Sequence, residues 1–324
     1  MSRKSAMLGL GNVLLDLALP VTDEEFEALR LPVPRGQVLR VTPEAQAALL
    51  AQFPAKRVTR YPGGSCANAL RAFAWHGLPA KLLGLAGDDD VAEFLFREFR
   101  AAGVDITGIK RIPGHATDCC LALVTPDGER TMLPMFDAGA QATAECFQAD
   151  DLDGYDCLHL EGYNLRFPKM LQAVLTMATK RRISWDMGDV SLIREHRAEL
   201  TRIFRSVRFD CLFANRAEAL EFTQCPSPQE AVQSLGTLAD CAVVTDGARG
   251  AWVATCDMNA THIPAVRPKA LVDTIGAGDS FQGAFLAARY SGAAPDEAAR
   301  HAADFAAQVI ALPGATMPTR PPKS

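Results

Sequence analysis

Residues 271–285 read LVDTIGAGDSFQGAF. A β-like LVDT leads into the small-residue turn Gly276-Ala277-Gly278. A segment follows that places Phe281, Phe285 and Ala288 on one helical face. With so little side chain in the turn, the first amides of that helix stay open to a ligand. A helix start leaves N–H groups unpaired and carries about half a positive charge, which suits an anion such as a phosphate. Asp279 falls in the first turn, where the dipole favours a carboxylate. Beside a phosphate it is placed to accept a proton from an attacking hydroxyl. The same residues also make a tight turn with an aspartate cap, and taken alone they support both readings equally.

Around this stretch, short apolar runs alternate with helical patterns. Strands are expected at 6–13, 80–86, 156–160, 182–187, 209–213 and 241–245. A helix over 66–76 would end at Gly77, a residue suited to a left-handed C-terminal position. Another, over 91–102, would turn Val91, Phe94, Leu95 and Phe99 to one side. Such alternation predicts an α/β fold with a doubly wound, mostly parallel central sheet and helices on both faces. Residues 14–42 and 106–137 break the pattern. They are β-like and turn-rich, and the second holds two strands around a Pro-Asp-Gly turn. They are expected to form a small β lid over one domain spanning 1–324. No internal repeat or linker interrupts the chain, and its tail from Pro313 is proline-rich.

Three further motifs line up with the first. In YPGGSCANAL (61–70), Gly63 and Gly64 bare the backbone at a helix start, with Asn68 one turn in. This suits recognition of a hydroxylated ligand, and it equally makes a glycine turn with Ser65 as cap. In ANRAE (214–218), Asn215 and Glu218 have capping-box spacing at the C-terminal end of a strand, where open α/β sheets bind ligands. Glu218 there suits a hydrated magnesium ion. In VVTDGARG (243–250), Thr245 and Gly247 end a strand in a glycine turn.

Composition excludes several classes. With 33 basic and 38 acidic residues and no basic cluster, the chain is a poor match for nucleic acid. No run of about 20 apolar residues suggests a membrane span. Arg3 and Lys4 before AMLGLGNVLL imitate a secretion signal, but Asp16 interrupts the run and no small-residue cleavage site follows. The nine cysteines lack CxxC spacing and several sit in apolar strands, so they read as core residues in a reducing cytoplasm. Gly9-Leu10-Gly11 lacks the third glycine of a dinucleotide fingerprint, because Leu14 occupies that place. No P-loop, HExxH or GxSxG occurs. His115, His196 and His262 are scattered and read as surface or loop residues.

The order GGSCAN, NRAE, TDG, DTIGAGDSF resembles the ribokinase-like (PfkB) family of carbohydrate and nucleoside kinases over nearly the whole chain. GNVLLDL, YPGGSCANAL, DGERTMLPMFDAGA and LHLEGYNL resemble its adenosine-kinase-like branch and bacterial sugar-kinase relatives. The resemblance implies ATP-dependent phosphorylation of a hydroxymethyl group on a sugar or nucleoside, with Mg2+. It implies Asp279 as base and Gly276, Ala277 and Gly278 as anion hole. Asn12, Asp16, Gly63, Gly64 and Asn68 would hold the acceptor. Asn215, Glu218, Thr245 and Gly247 would serve the nucleotide and its magnesium. Arg130 would swing onto the transferring phosphate as the lid closes, and Asp273 is a candidate monovalent-cation (K+) site. Phe136, Tyr163 and Phe167 are candidates to stack a base, though no motif fixes them. The partners implied are small molecules, with the chain a monomer or a homodimer. Two other classes remain open at this level: a non-catalytic sugar or nucleotide sensor on the same fold, and an NAD-dependent oxidoreductase.

Overall fold

The structure, a computed structural model, describes residues 5–256 and 258–319. Arg3, Lys4 and the end of the proline-rich tail lie outside them. In chain order the strands are β1 (Met7–Leu10), β2 (Leu14–Pro20), β3 (Thr59–Pro62), β4 (Ala80–Ala86), β5 (Val104–Asp105), β6 (Ile109–Arg111) and β7 (Asp118–Val124). They continue with β8 (Arg130–Met135), β9 (Cys157–Glu161), β10 (Arg182–Asp186), β11 (Phe209–Asn215), β12 (Ala239–Thr245), β13 (Ala251–Thr255) and β14 (Met258–Ile263). The helices are α1 (Asp23–Ala28), α2 (Pro43–Leu50), α3 (Ser65–Trp75), α4 (Asp90–Ala101) and α5 (Pro168–Met177). After them come α6 (Val190–Ser206), α7 (Arg216–Thr223), α8 (Pro228–Gly236), α9 (Ala277–Tyr290) and α10 (Pro295–Val309).

The large sheet has the order β14-β13-β12-β11-β10-β9-β1-β4-β5, with β6 also on β4. From β12 to β5 every pairing is parallel, and β13 and β14 add an antiparallel edge. Its central strands are buried on both faces, which is why they read as unbroken apolar runs. In β11 and β12, Phe213 and Val243 pack in one apolar layer with Phe281 and Phe285 of α9. Leu212 and Val244 pack in the opposite layer with Ile203 of α6 and Leu235 of α8. Period-2 alternation thus distributes the strand residues to two helical layers.

A second, four-stranded sheet has the order β3-β2-β7-β8. Here β2 alternates, with Leu15, Leu17 and Leu19 inward, while β7 is buried on both faces. Those leucines share an apolar cluster with Phe26 of α1 and Leu49 of α2. The other face carries Asp16 in register with Cys120, and Cys120 with Pro134.

Some expectations shift. Within 14–42, the Thr22–Glu25 capping box starts α1, so that stretch is only partly β. Within 106–137, Ile109–Arg111 joins β4 of the large sheet and only β7 and β8 join the small one. β3 and the β13–β14 pair stand where no strand was expected. In α4 burial falls on Ala92, Leu95, Phe96 and Phe99. Phe94 stays half-buried beneath the guanidinium groups of Arg97 and Arg60. The predicted helix over 66–76 is α3, capped by His76 and followed by Gly77 at φ +78. Six of the nine cysteines, Cys66, Cys119, Cys120, Cys157, Cys211 and Cys241, are buried thiols.

Candidate active site

Two helix starts meet above the C-terminal ends of the central strands. α3 and α9 cross so closely that a Cβ on Gly283 would lie 2.1 Å from the Ala69 carbonyl oxygen. Only glycine allows that approach. The crossing brings Asn68 of α3 to Asp279 of α9, and the Asn68 Nδ2 group donates to the Asp279 carboxylate at 3.0 Å. Asn68 is itself held, accepting from Arg71 Nη1 at 3.0 Å.

Asp279 lies in the first turn of α9, just after the Gly276-Ala277-Gly278 turn, in which the Ala277 amide donates to the Thr274 carbonyl at 3.3 Å. Gly276 caps α9 at φ +71, a left-handed conformation that favours glycine. The Ser280 amide donates to the Gly276 carbonyl, while the amides of Gly278 and Asp279 have no acceptor among the described residues. A Cβ on Gly278 would meet nothing within 4 Å, so the space in front of these amides is open. Burial pushes the Asp279 carboxyl up to about 6, against the opposing effect of hydrogen bonds from Asn68 and Ser65.

On the acceptor side, Asp16 of β2 lies against Gly63, whose added Cβ would fall 2.3 Å from Asp16 Oδ2. Asn12, just after β1, approaches Gly64 with its carbonyl oxygen. Burial first, then the Asp279 charge, raises the Asp16 carboxyl to about 7, and Arg130 opposes the shift. Glu161, at the end of β9, ties the two acceptor segments together. It accepts from the Cys66 amide at 2.8 Å and from the Asn12 amide at 3.4 Å. Its own carboxyl is raised to about 7, chiefly by burial.

On the other side, Asn215 and Glu218 do form a capping box at the start of α7. The Asn215 amide donates to Glu218 Oε2 at 2.8 Å, and the Glu218 amide to Asn215 Oδ1 at 3.0 Å. Glu218 is nevertheless buried, and burial holds its carboxyl near 7 with Asp189 and Asp279 adding to the shift. The local capping motif therefore places a buried carboxyl whose ionisation is opposed by the Asp279 charge. Next to it Asp186, at the end of β10, is buried and pushed well above the ordinary aspartate range by burial, then by Glu218. Gln282 of α9 hydrogen-bonds it. Thr245 pairs in register with Asn215, and Gly247 turns at φ +56 just beyond. Both lie on the Glu218 side of the site and neither meets the acceptor group.

Arg130, on β8, donates through Nη2 to Asp273 at 2.8 Å, while its Nη1 has no hydrogen-bond partner. Asp273 also accepts the amides of Ile275 and Gly314, at 3.0 and 3.1 Å. The carboxylate considered for K+ is thus taken up by three donors. Burial opposes its ionisation, but those donors hold it below the ordinary aspartate range.

Glu161, Asp186 and Gln282 were missed from sequence. The available signal was an acid closing an apolar strand, as in CLHLE (157–161) and RISWD (182–186), at the sheet edge where ligands bind.

The pfkB family carbohydrate kinase profile matches residues 48–321. The chain belongs to this family. The family member is 26% identical to mouse (Mus musculus) ketohexokinase over 264 residues, covering 78% of this chain and 85% of that protein. Its fold is similar to that of adenosine kinase from Sinorhizobium meliloti, with TM-score 0.86, 25% identity and 98% and 97% of the two chains covered. A ribokinase-like protein of E. coli, solved with ATP and Mg2+, matches at TM-score 0.77 and 20% identity over 96% and 94% of the chains. This pfkB protein is accordingly a carbohydrate or nucleoside kinase with a ribokinase-like fold. Among the described residues, no helix is long and apolar enough to cross a membrane.

Proposed function

We propose that the chain moves the γ-phosphate of ATP to a hydroxymethyl group of a sugar or nucleoside, with Asp279 as general base. The Asn68–Asp279 hydrogen bond carries this reading, because it joins the acceptor turn to the open anion cradle. Asn68 and Ser65 hydrogen-bond the Asp279 carboxylate, whose two oxygens keep further lone pairs to receive the hydroxyl proton. A base near 6 is ionised at neutral pH and still accepts a proton as the hydroxyl attacks. Asn12, Asp16, Gly63, Gly64 and Asn68 position the acceptor hydroxyls. In the Gly276-Ala277-Gly278 cradle the Gly278 amide, unpaired among the described residues, receives charge that develops on the phosphate oxygens. Gly276 helps, as does Ala277 once its amide leaves the Thr274 carbonyl, 3.3 Å away.

Asn215, Glu218, Thr245 and Gly247 face the nucleotide phosphates. Glu218 and Asp186 are buried acids that carry no cationic side chain among the described residues, and they fit a divalent cation held through water. Among the described residues, no group of three or more acidic, His or Cys side chains forms a metal cage. That suits Mg2+, which keeps most of its waters and takes its remaining ligands from substrate phosphates. Bound there, Mg2+ would neutralise phosphate charge.

Arg130 and Asp16 both belong to the small sheet, which we read as a lid built around 14–42 and 106–137. Its closure would exclude water and free Arg130 from Asp273 for the transferring phosphate. The test is acceptor-stimulated ADP release, with 31P NMR to place the new phosphate. Turnover that needs Mg2+ and yields a phosphorylated hydroxymethyl group supports the reading. Ligand binding without ADP release would instead make the chain a sensor.

A further inference from the structure

A cavity of about 650 Å3 opens beside Asn12, on the acceptor side of the site. Its walls include Arg40, Phe136, Arg166, Glu195 and His196. Arg40 belongs to the segment that runs beside β8, where the Leu39 amide donates to Met132 and the Val41 amide to Pro134. Phe136 follows β8 directly. Both are therefore carried by the small sheet. Arg166 ends the 3-10 turn that follows β9, so it belongs to the main body. The Arg40 guanidinium carbon stands 5.3 Å from the Phe136 ring centroid and that of Arg166 stands 5.1 Å from it. Arg166 also lies 5.2 Å from the Tyr163 ring centroid.

Two guanidinium groups thus share one ring, and among the described residues neither has a carboxylate within ion-pair distance. The acids that feel their charge, Asp118 for Arg40 and Glu161 for Arg166, are buried and already hydrogen-bonded to backbone amides. The one acid on the cavity wall, Glu195, is 72% exposed and stands 3.8 Å from His196. Its charge faces solvent and the imidazole. α6 also leaves helical geometry at His196, with φ −113 and ψ 18, so the third basic side chain sits at a break in its helix. Cation–π contact offsets part of the repulsion between the two arginines but supplies no counter-charge. A guanidinium fork is matched in shape and charge by a phosphate or a carboxylate. A nucleobase stacked on Phe136 or Tyr163 would have to displace these guanidinium groups.

Resting on the kinase reading above, we propose that the acceptor carries an anionic substituent, phosphate or carboxylate, remote from the attacked hydroxyl. Arg40 and Arg166 grip that group from opposite sides of the cleft. Because one arginine rides on the small sheet and the other on the body, the same anion draws the two together. Acceptor choice is thereby tied to closure.

The test is ADP release with matched acceptors that each keep a free hydroxymethyl group. The pairs are ribose with ribose 1-phosphate, fructose with fructose 1-phosphate, and fructose with 2-ketogluconate, with adenosine as the nucleoside arm. The expected result is a kcat/KM at least about tenfold higher for the anionic member of a pair, as a charge-assisted contact implies. The phosphate and ketoacid pairs tell the two anions apart. Arg40→Met and Arg166→Met should each erase most of that preference by raising the KM of the anionic acceptor. Both side chains are exposed at the cavity, so the variants should melt at the parent temperature. If neutral acceptors or adenosine are preferred and the variants leave the preference unmoved, the anionic acceptor is overturned and the kinase reading stands. If no acceptor stimulates ADP release, the kinase reading fails and takes this proposal with it.

Discussion

The starts of α3 and α9 are alike in sequence and unlike in occupancy. α3 follows β3 closely, whereas residues 271–274 before α9, expected to be β-like, are irregular, with Leu271 and Val272 exposed. Each helix nevertheless opens with small residues and presents first-turn amides and the positive end of a helix dipole. At α3 the anion is already supplied by the protein, because Glu161 accepts the Cys66 amide and ties in Asn12. At α9 the amides of Gly278 and Asp279 have no acceptor among the described residues, and a Cβ on Gly278 would meet nothing within 4 Å. The first helix start is thus used to fix a loop. The second is left for a ligand. The Asn68–Asp279 bond makes the fixed end the reference point for the open one.

Exchanging a carboxylate for an amide at each end should separate the two roles. Asp279→Asn removes the proton acceptor, and kcat should fall roughly 10²-fold or more while ATP binding persists. Turnover near the parent rate would sink the assignment of Asp279 as base. Glu161→Gln keeps one acceptor oxygen but sets an NH2 group against one of two backbone amides. It should raise acceptor KM about tenfold and lower stability by about 1–2 kcal/mol, with kcat far less affected. Steady-state kinetics and thermal melts of both variants check this. An equal loss of kcat in the two variants would erase the distinction between the helix ends.

A smaller contrast comes from adding one methyl group at each end. At Gly63 a Cβ would fall 2.3 Å from Asp16 Oδ2, the far end of a short side chain that can turn away. Gly63→Ala should therefore keep the fold and move Asp16, raising acceptor KM several-fold. At Gly278 a methyl meets no protein atom, and alanine favours a helix over glycine by up to about 1 kcal/mol. Gly278→Ala should melt at or slightly above the parent temperature and bind ATP more weakly, since the methyl stands in the cradle. A Gly278→Ala protein that melts lower would show that α9 starts under constraints not visible in its contacts.

These contrasts also mark how far the sequence could be read. The α9 start was legible because its signal is local: a glycine turn, an aspartate and an amphipathic run within fifteen residues. The parallel strands were legible because burial on both faces leaves nearly unbroken apolar runs, as in β1 and β11. β3 was not, being four residues with Arg60 in the middle. Nor was the partner of α3. Glu161 lies 95 residues from Cys66, and only sheet assembly brings β9 beside that helix. Asn215 and Glu218 show a different limit, because their spacing fits a cap and a metal site equally well. The structure contains the cap, and burial beside Asp189 and Asp279 raises the Glu218 carboxyl to about 7, which a helix cap alone does not require.

The smallest expected effect concerns pH, and it tests whether the two ends also differ in what neutralises them. Asp16, Glu161, Glu218 and Asp279 are raised to about 7, 7, 7 and 6, chiefly by burial, against ordinary values of 3.8 for Asp and 4.5 for Glu. The folded chain therefore binds more protons than the unfolded chain between roughly pH 4 and 7. Stability from these groups is complete below the unfolded values and is lost as pH rises through the folded ones. The protein without ligands should melt a few degrees higher near pH 5.5 than near pH 8, a shift that calorimetry resolves. Mg2+ with ADP should flatten the part of that slope due to Glu218 and Asp279, because a cation there favours their ionised forms. Glu161 sits at the closed end, so its share should survive the ligands and disappear only in Glu161→Gln. If Mg2+ and ADP leave the slope of the parent protein untouched, the cation does not sit among these acids. If they abolish it in full, the α3 end is open to the ligand as well.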